Sequence, residues 1–400
     1  MHVPYFRPDI TSTDIDAVVK TLRSGWLTTG PKAKKFEAAF ARCVGMPHAV
    51  ALNSCTAALH LALAALGLRR GQAVLVPTLT FAATAEVVRY FGATPEFVDV
   101  EPETLCMDPD AVRNALTGHS KRGEGIVGAI PVHYGGQMAA MLSLAPMLRA
   151  AGCFVVEDAA HALPASLRDP ESGRWTKVGE LADVACFSFY ANKTITTGEG
   201  GMATTADKAL ANRMRTLSLH GMSQDGCDRF RRTGTWDYVI ATPGFKYNMT
   251  DVAAALGIEQ LRRVVSLRDQ RAHIAARYTA ALSDVDAIET PNERDDSYHA
   301  WHLYPIRLRL DHLRVRREEF IRELDRRGVA TSVHWRPLHM QPYYRDHYGY
   351  RPEDFPVAFR EWQRLISLPL FPGMTEMEVA HVITAVRETA AEATRKVLVA

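Results

Sequence analysis

The sequence predicts an α/β fold, a mostly parallel sheet sandwiched by helices, followed by a smaller α+β unit. Two observations carry this prediction. Between residues 49 and 205, short apolar runs alternate with helical patterns, as repeated strand–helix units do. The runs at 74–76, 153–156 and 182–188 are also apolar without a period of two, which marks strands buried on both faces. The division falls at residue 249, giving a large α/β domain over 1–249 and a linking helix with a small α+β domain over 250–400.

Taken in order, residues 10–22 hold Ile10, Ile15, Val18, Val19 and Leu22 at helical spacing, and the pattern stops at Ser24-Gly25. After the loop Trp26-Leu27-Thr28-Thr29-Gly30, Pro31 opens a second helix through Phe36 and Phe40, because a first-turn residue has no intrahelical use for the N–H that proline lacks. Residues 49–52 form a strand, and Asn53-Ser54-Cys55-Thr56 leads into a helix over 57–66. Small polar residues at a strand-to-helix turn offer donors where the helix dipole favours an anion, so Ser54, Cys55 and Thr56 make either a phosphate cup or an ordinary N-cap. The strand at 74–76 precedes a helix over 82–91, with Phe81 at its start, where a ring either joins the core or lies on a planar ligand. Strands over 94–100 and 126–133 and helices over 109–116 and 142–151 continue the alternation. Ser54, Phe81, His133, Asp158 and Ser188 fall at strand carboxyl ends, the side on which such sheets bind ligands. Gly198-x-Gly200 lacks the third glycine and the strand-to-helix setting of a dinucleotide fingerprint.

Residues 215–238 are irregular and rich in Gly, Arg and aromatics, which predicts a mobile loop over a neighbouring site. Beyond 243–251, one long helix capped by Thr250 or Asp251 is expected to run to about residue 282. Residues 284–297 form a polar connection, followed by a strand over 303–310, a helix over 316–327 and a strand over 329–333. The terminal helix, 375–391, has a Thr375…Glu378 capping box and an inner stripe of Val379, Val382, Ile383 and Val386.

With 47 basic and 45 acidic residues, the chain has a formal net charge of +2 and no global field to hold nucleic acid or an anionic membrane. The basic run around Arg314, Arg316 and Arg317 is interleaved with acids, as on a solvated helix face. Six cysteines without CxxC pairing fit buried free thiols better than disulfides or zinc. The start Met-His-Val-Pro lacks a secretory pattern and no apolar run spans a bilayer, so a cytoplasmic location is expected.

The chemistry concentrates between residues 155 and 205. Glu157-Asp158-Ala159-Ala160-His161 closes a strand, and Lys193 lies 193 − 158 = 35 residues after Asp158, between a strand ending at Ser188 and the glycine run 198–201. A lysine in an apolar pocket loses hydration of its charged form, so its amine becomes a usable nucleophile and base. An acid at a neighbouring strand end can hold a pyridinium nitrogen protonated. Together these groups meet the needs of pyridoxal 5′-phosphate (PLP), although residues and spacing alone leave a surface lysine and a capping aspartate equally open.

This segment resembles the active-site stretch of the DegT/DnrJ/StrS sugar aminotransferases, fold-type I PLP-dependent transferases whose pattern runs EDAA[QH]…G…D…FSF…K…EGG. The matching residues are Glu157 to His161, Gly179, Asp183, Phe187-Ser188-Phe189, Lys193 and Glu199-Gly200-Gly201, and the likeness covers nearly the whole chain. The resemblance implies that Lys193 forms the Schiff base and shuttles the proton, and that Asp158 partners the pyridinium. It puts His161 near the ring hydroxyl, Ser188 with Ser54, Cys55 and Thr56 at the phosphate, and Phe81 on the ring face. The GWLTTGP loop with Thr29, Tyr190, and His334 of His334-Trp335-Arg336-Pro337-Leu338-His339 would meet the substrate. For His334, a histidine merely closing a strand stays open as the plainer alternative. In the family the 243–251 segment reaches the partner's phosphate across a homodimer. Here Gly244-Phe245-Lys246-Tyr247-Asn248 departs from the common GYNYR, which leaves open whether Lys246 or Asn248 makes that contact. The implied activity is transfer of an amino group from glutamate to a nucleotide-linked ketosugar, a 4-keto-6-deoxysugar first of all. A C3-ketosugar, a keto-cyclitol and a non-catalytic PLP-binding regulator are the alternatives. Family dehydratases have histidine in place of the lysine, and Lys193 argues against that activity.

Overall fold

The computed structural model describes residues 1–118, 125–222 and 239–394. Helices α1 (Ser12–Ser24) and α2 (Pro31–Val44) lead to β1 (His48–Leu52). The chain then alternates through α3 (Cys55–Leu66), β2 (Ala73–Pro77), α4 (Ala82–Arg89), β3 (Thr94–Val98), α5 (Pro109–Thr117), β4 (Ile126–Ala129), α6 (Met141–Ala150) and β5 (Phe154–Asp158). A short hairpin, β6 (Ser166–Arg168) and β7 (Trp175–Lys177), precedes β8 (Val184–Ser188), β9 (Gly201–Thr205) and α7 (Lys208–Ser218).

Seven strands make one sheet in the order β1-β9-β8-β5-β4-β2-β3. Its pairings are parallel except at β9, which runs against both neighbours. No helix separates β8 from β9, so the chain returns without the crossover that a parallel neighbour requires. Strands β2 and β9 are buried at every residue, as strands covered on both faces must be. Helix α3, buried on nearly every side, lies against β5, β8 and β9.

The long helix expected after residue 250 is two helices, α8 (Asp251–Arg262) and α9 (Val264–Leu282). Arg263 leaves the helical path (φ −104°, ψ 4°), and its guanidinium pairs with Asp9 and Asp14, each at 2.8 Å. The two halves therefore serve different neighbours, α8 packing on α1 and α2, and α9 on the last helix of the chain. After them come β10 (Ile288–Glu289), β11 (Ser297–Tyr298), β12 (Tyr304–Leu308), α10 (Arg317–Arg326), α11 (Pro342–Tyr348), α12 (Pro356–Arg364), β13 (Leu365–Leu368) and α13 (Glu376–Ala393). Strands β10, β12 and β13 form an antiparallel sheet, whereas β11 adds to the β6–β7 hairpin.

A second hydrophobic cluster gathers Tyr278, Tyr304, Ile306, Phe320, Ile366, Val379, Val382 and Val386, separate from the cluster around the large sheet. Ile383, expected in the α13 stripe, is only partly buried, and the Thr375–Glu378 capping box is present. The strand expected over 329–333 does not form. Val329 and Ser332 make single bridges to Val3 and Ser367, in different directions, so no ladder propagates. Of the loop expected over 215–238, residues up to Ser218 belong to α7, and residues 223–238 lie outside those described.

Candidate active site

The ends of β1, β2, β4, β5 and β8, the β8–β9 loop, and the segments at His302 and His334-Trp335 converge on a cavity of about 370 Å³ at the carboxyl edge of the large sheet. One wall is the first turn of α3. Ser54 is its N-cap, with Oγ accepting from the Ala57 amide at 3.0 Å, so the plainer of its two expected roles is filled. The first-turn amides of a helix have no intrahelical acceptor and attract an anion. Gly201 at the start of β9 explains how this turn comes so close to the sheet. A Cβ there would stand 2.3 Å from the Ser54 carbonyl carbon and 2.5 Å from the Cys55 nitrogen. Burial and the Asp158 carboxylate raise the Cys55 thiol well above its usual range, so it stays protonated.

Asp158 ends β5, paired with Cys186 of β8, and is 6% exposed. Its Oδ2 accepts from Thr84 Oγ1 at 2.8 Å, and its Oδ1 from the Ala160 amide at 3.2 Å. Thr84 is steadied in turn by Thr80 at 2.9 Å. Burial pushes the Asp158 carboxyl up, while Thr84, the Ala160 amide and the Lys193 cation pull it back toward the ionised form. Its neighbours Glu157 and His133 turn the other way and bond to each other at 3.0 Å, with the Gly179 amide donating to Glu157 at 2.7 Å. That buried pair accounts structurally for the motif residues Glu157 and Gly179.

Lys193 sits in the β8–β9 loop and lines the cavity. Burial lowers its pKa to about 8, against the opposing pull of Cys55 and Asp158. Its Nζ stands 3.4 Å from His302 Nε2. The His302 ring lies 4.1 Å from His161, which stacks on Trp335 at 5.2 Å and accepts from the Gly135 amide through Nδ1 at 3.3 Å. Burial, reinforced by Lys193 and the neighbouring rings, keeps both imidazoles neutral. His334 bonds Ser367 through Nδ1 at 2.9 Å, stacks on Tyr5, and is held down to about 4 by burial and the lysine cation.

Of the other expected residues, Cys55, Thr56, Phe81, Ser188 and Tyr190 line the same cavity. Phe81 caps α4 with its ring 58% exposed, and Ser188 Oγ accepts from the Tyr190 amide at 3.3 Å. Thr29, Lys246 and Asn248 stand apart from the lining residues. They are linked to one another, Asn248 Nδ2 donating to Thr29 Oγ1 at 2.5 Å and Lys246 Nζ to Asn248 Oδ1. Asp251 fixes this corner by accepting from the amides of Gly30, Lys32 and Ala33 at 2.7, 3.0 and 2.9 Å.

The donor set suits PLP: free amides at the α3 turn for a phosphate, a buried carboxylate for a ring nitrogen, an open aromatic face, and an amine of lowered pKa for an aldehyde. Residues 8–387 match the DegT/DnrJ/EryC1/StrS aminotransferase family. The chain belongs to this family. Among its relatives, the spore coat polysaccharide biosynthesis protein SpsC of Bacillus subtilis (strain 168) is 43% identical over 387 residues, 96% of each chain. The putative sugar aminotransferase Spr1654 of Streptococcus pneumoniae, in its PMP form, has a TM-score of 0.87 at 32% identity, covering 98% of this chain and 100% of that one. DesV of S. venezuelae has a TM-score of 0.86 at 31% identity, over 97% and 98% of the two chains.

Several residues of this aminotransferase's cavity escaped the sequence reading. Thr84 of α4, which supports Asp158 from behind the lining, lies four residues after Thr80, which precedes the helix, and that spacing of two hydroxyls was its available signal. Trp335 sat inside a quoted motif without a role. Asn192 stood next to Lys193 without being given a role, and His302 had no motif of its own; only the fold brings His302 to the lysine.

Proposed function

We propose that this aminotransferase uses PLP to carry an amino group from glutamate to a nucleotide-linked ketosugar, specifically a 4-keto-6-deoxysugar. The observation that carries the proposal is one cavity holding an amine of lowered pKa and a buried carboxylate beside a helix N-terminus. Its substrate side is supported by a second hollow of about 690 Å³ that shares Thr80, Phe81 and Trp335 with the first. Arg89, Arg336 and Tyr343 line it, a cationic and aromatic setting with room for a nucleotide.

When bound, the cofactor supplies a carbonyl for the incoming amine and a ring that accepts the electrons released at the donor's α-carbon. Burial raises the Asp158 carboxyl while Thr84 and the Ala160 amide favour its ionised form, and as a carboxylate it would hold the ring nitrogen protonated. The α3 turn, Ser54 to Thr56, with Ser188 would anchor the phosphate, and Phe81 would cover the ring. Lys193 would hold the cofactor's aldehyde through Nζ, and its amine, with a pKa lowered to about 8, could take up a proton at Nζ and give it back. His161 and His334 are both neutral; the first would meet the ring hydroxyl, and the second would offer a hydrogen bond to a substrate hydroxyl without adding charge. The second half-reaction runs these steps in reverse on the ketosugar. We place the enzyme in the cytoplasm on its scattered cysteines, which suit free thiols, and read it as a homodimer on the strength of the family resemblance.

The test is a panel of nucleotide-linked 4-keto and 3-keto sugars and keto-cyclitols, added to the pyridoxamine-phosphate form and followed by loss of its absorbance. Loss with 4-ketosugars first is the expected result. Preference for a 3-ketosugar or keto-cyclitol replaces the substrate, and failure of glutamate to generate the pyridoxamine form rules out the donor.

A further inference from the structure

His302 precedes β12 in the smaller sheet, yet its Nε2 stands 3.4 Å from the Lys193 amine, and it is that amine's hydrogen-bond partner among the described residues. The residue is 4% exposed, and among the described residues its Nδ1 has no hydrogen-bond partner. Arg271 of α9 holds it in place. One guanidinium nitrogen donates to the His302 carbonyl at 3.4 Å and to the Leu370 carbonyl at 2.7 Å, and the other to the carbonyl of Asn192 at 3.4 Å. Asn192 immediately precedes Lys193, so one buried guanidinium ties the histidine to the lysine loop. Every one of these acceptors is a neutral carbonyl, which marks Arg271 as a structural clamp rather than half of an ion pair.

We propose that His302 is a positioning residue for Lys193: its neutral ring accepts a hydrogen bond from the amine while Nζ carries the proton in transit, and Arg271 fixes the distance. The inference rests on the reading of Lys193 as the proton carrier. In the step itself, the α-carbon's C–H bond breaks, the bound cofactor's ring would accept its electron pair, and the proton rests on Nζ before it is returned. His302 ends as it began. A neutral acceptor steadies the charged amine without trapping it, which a carboxylate at that distance would do. The other groups that interact with Lys193 are Asp158, the Cys55 thiol, His161, His334 and the Arg271 cation. The three imidazoles are neutral at working pH, so Asp158 is the fixed anion and His302 the adjustable contact.

The test uses the whole protein and PLP. The rate at which the apoprotein captures PLP should rise through pH about 8, where Lys193 loses its proton. His302→Phe removes the acceptor for the charged amine, so the midpoint should move to lower pH by about one unit, a tenfold change in proton affinity. The isotope effect with α-deuterated glutamate should increase. His302→Gln keeps a polar atom at similar reach and should bring both readouts back toward wild type. His302→Asp should move the midpoint to higher pH by about one unit or more. An unchanged midpoint and isotope effect in His302→Phe, with only a lower Tm, would reduce His302 to packing and overturn the proposal. If the Phe variant does not fold, the Gln and Asp variants decide, and equal midpoints in these two overturn it. Absence of a borohydride-reducible linkage to Lys193 in the wild type would instead remove the proposed function.

Discussion

Asp158 accepts from Thr84 and from the Ala160 amide, and an asparagine keeps its shape and one of these acceptor bonds while losing the charge, so Asp158→Asn tests the electrostatic contribution. The glutamate half-reaction should slow by on the order of a hundredfold, with PLP affinity falling less than about tenfold, as stopped-flow absorbance and cofactor titration would show. Equal losses in rate and affinity would mean that Asp158 serves binding alone. His334 separates the two half-reactions differently. Held to about 4, its ring is neutral at any higher working pH, so no ionisation of His334 should appear between about pH 5 and 9. His334→Ala should impair the ketosugar half-reaction at least tenfold and spare the glutamate one; matched losses would take it away from the sugar. At this scale the sequence disclosed those residues whose chemistry is unusual where they stand, an acid closing an apolar strand and a lysine before a glycine run. Thr84, His302 and Trp335 were hidden because each acts through a neighbour supplied by another part of the fold.

Among the elements, those with local signals were read well: the strand ending at Ser188, Pro31 opening α2 and the Thr375 capping box all depend on patterns within a few residues. The errors fell where distant contacts decide, at the Arg263 break drawn by Asp9 and Asp14 and at residues 329–333, held by bridges to Val3 and Ser367. The antiparallel course of β9 was equally non-local, and it brings Gly201 against the α3 turn. Gly201→Ala tests that approach. Its Cβ would meet the Ser54 carbonyl oxygen at 2.4 Å, and because the obstacle is backbone, the turn itself must move. The expected outcome is a folded protein with PLP affinity lowered at least tenfold and a Tm lower by several degrees, since the displaced amides are those that would meet the phosphate. Wild-type affinity would show that this turn does not set the phosphate site.

For the molecule as a whole, the open question is which chain completes the cavity. Lys246 and Asn248 carry an amine and an amide suited to a phosphate, but they lie beside β1 and Thr29 rather than along the lining of their own chain's cavity. The family resemblance supplies the partner, a second copy related by a two-fold axis. Lys193→Ala should then be inactive for want of the amine, and the double variant Lys246→Ala/Asn248→Ala nearly so for want of a phosphate contact. In a hybrid dimer, one site unites the intact lysine of one chain with the intact 246–248 segment of the other, and both lesions share the second site. Refolding equal amounts together makes about half of the dimers hybrid, so about a quarter of wild-type activity should return. No return, with hybrids verified by mass, would assign the segment to its own chain's site or to none. A quarter returned requires that each site draw on both chains, because sites complete within one chain would stay dead in every pairing.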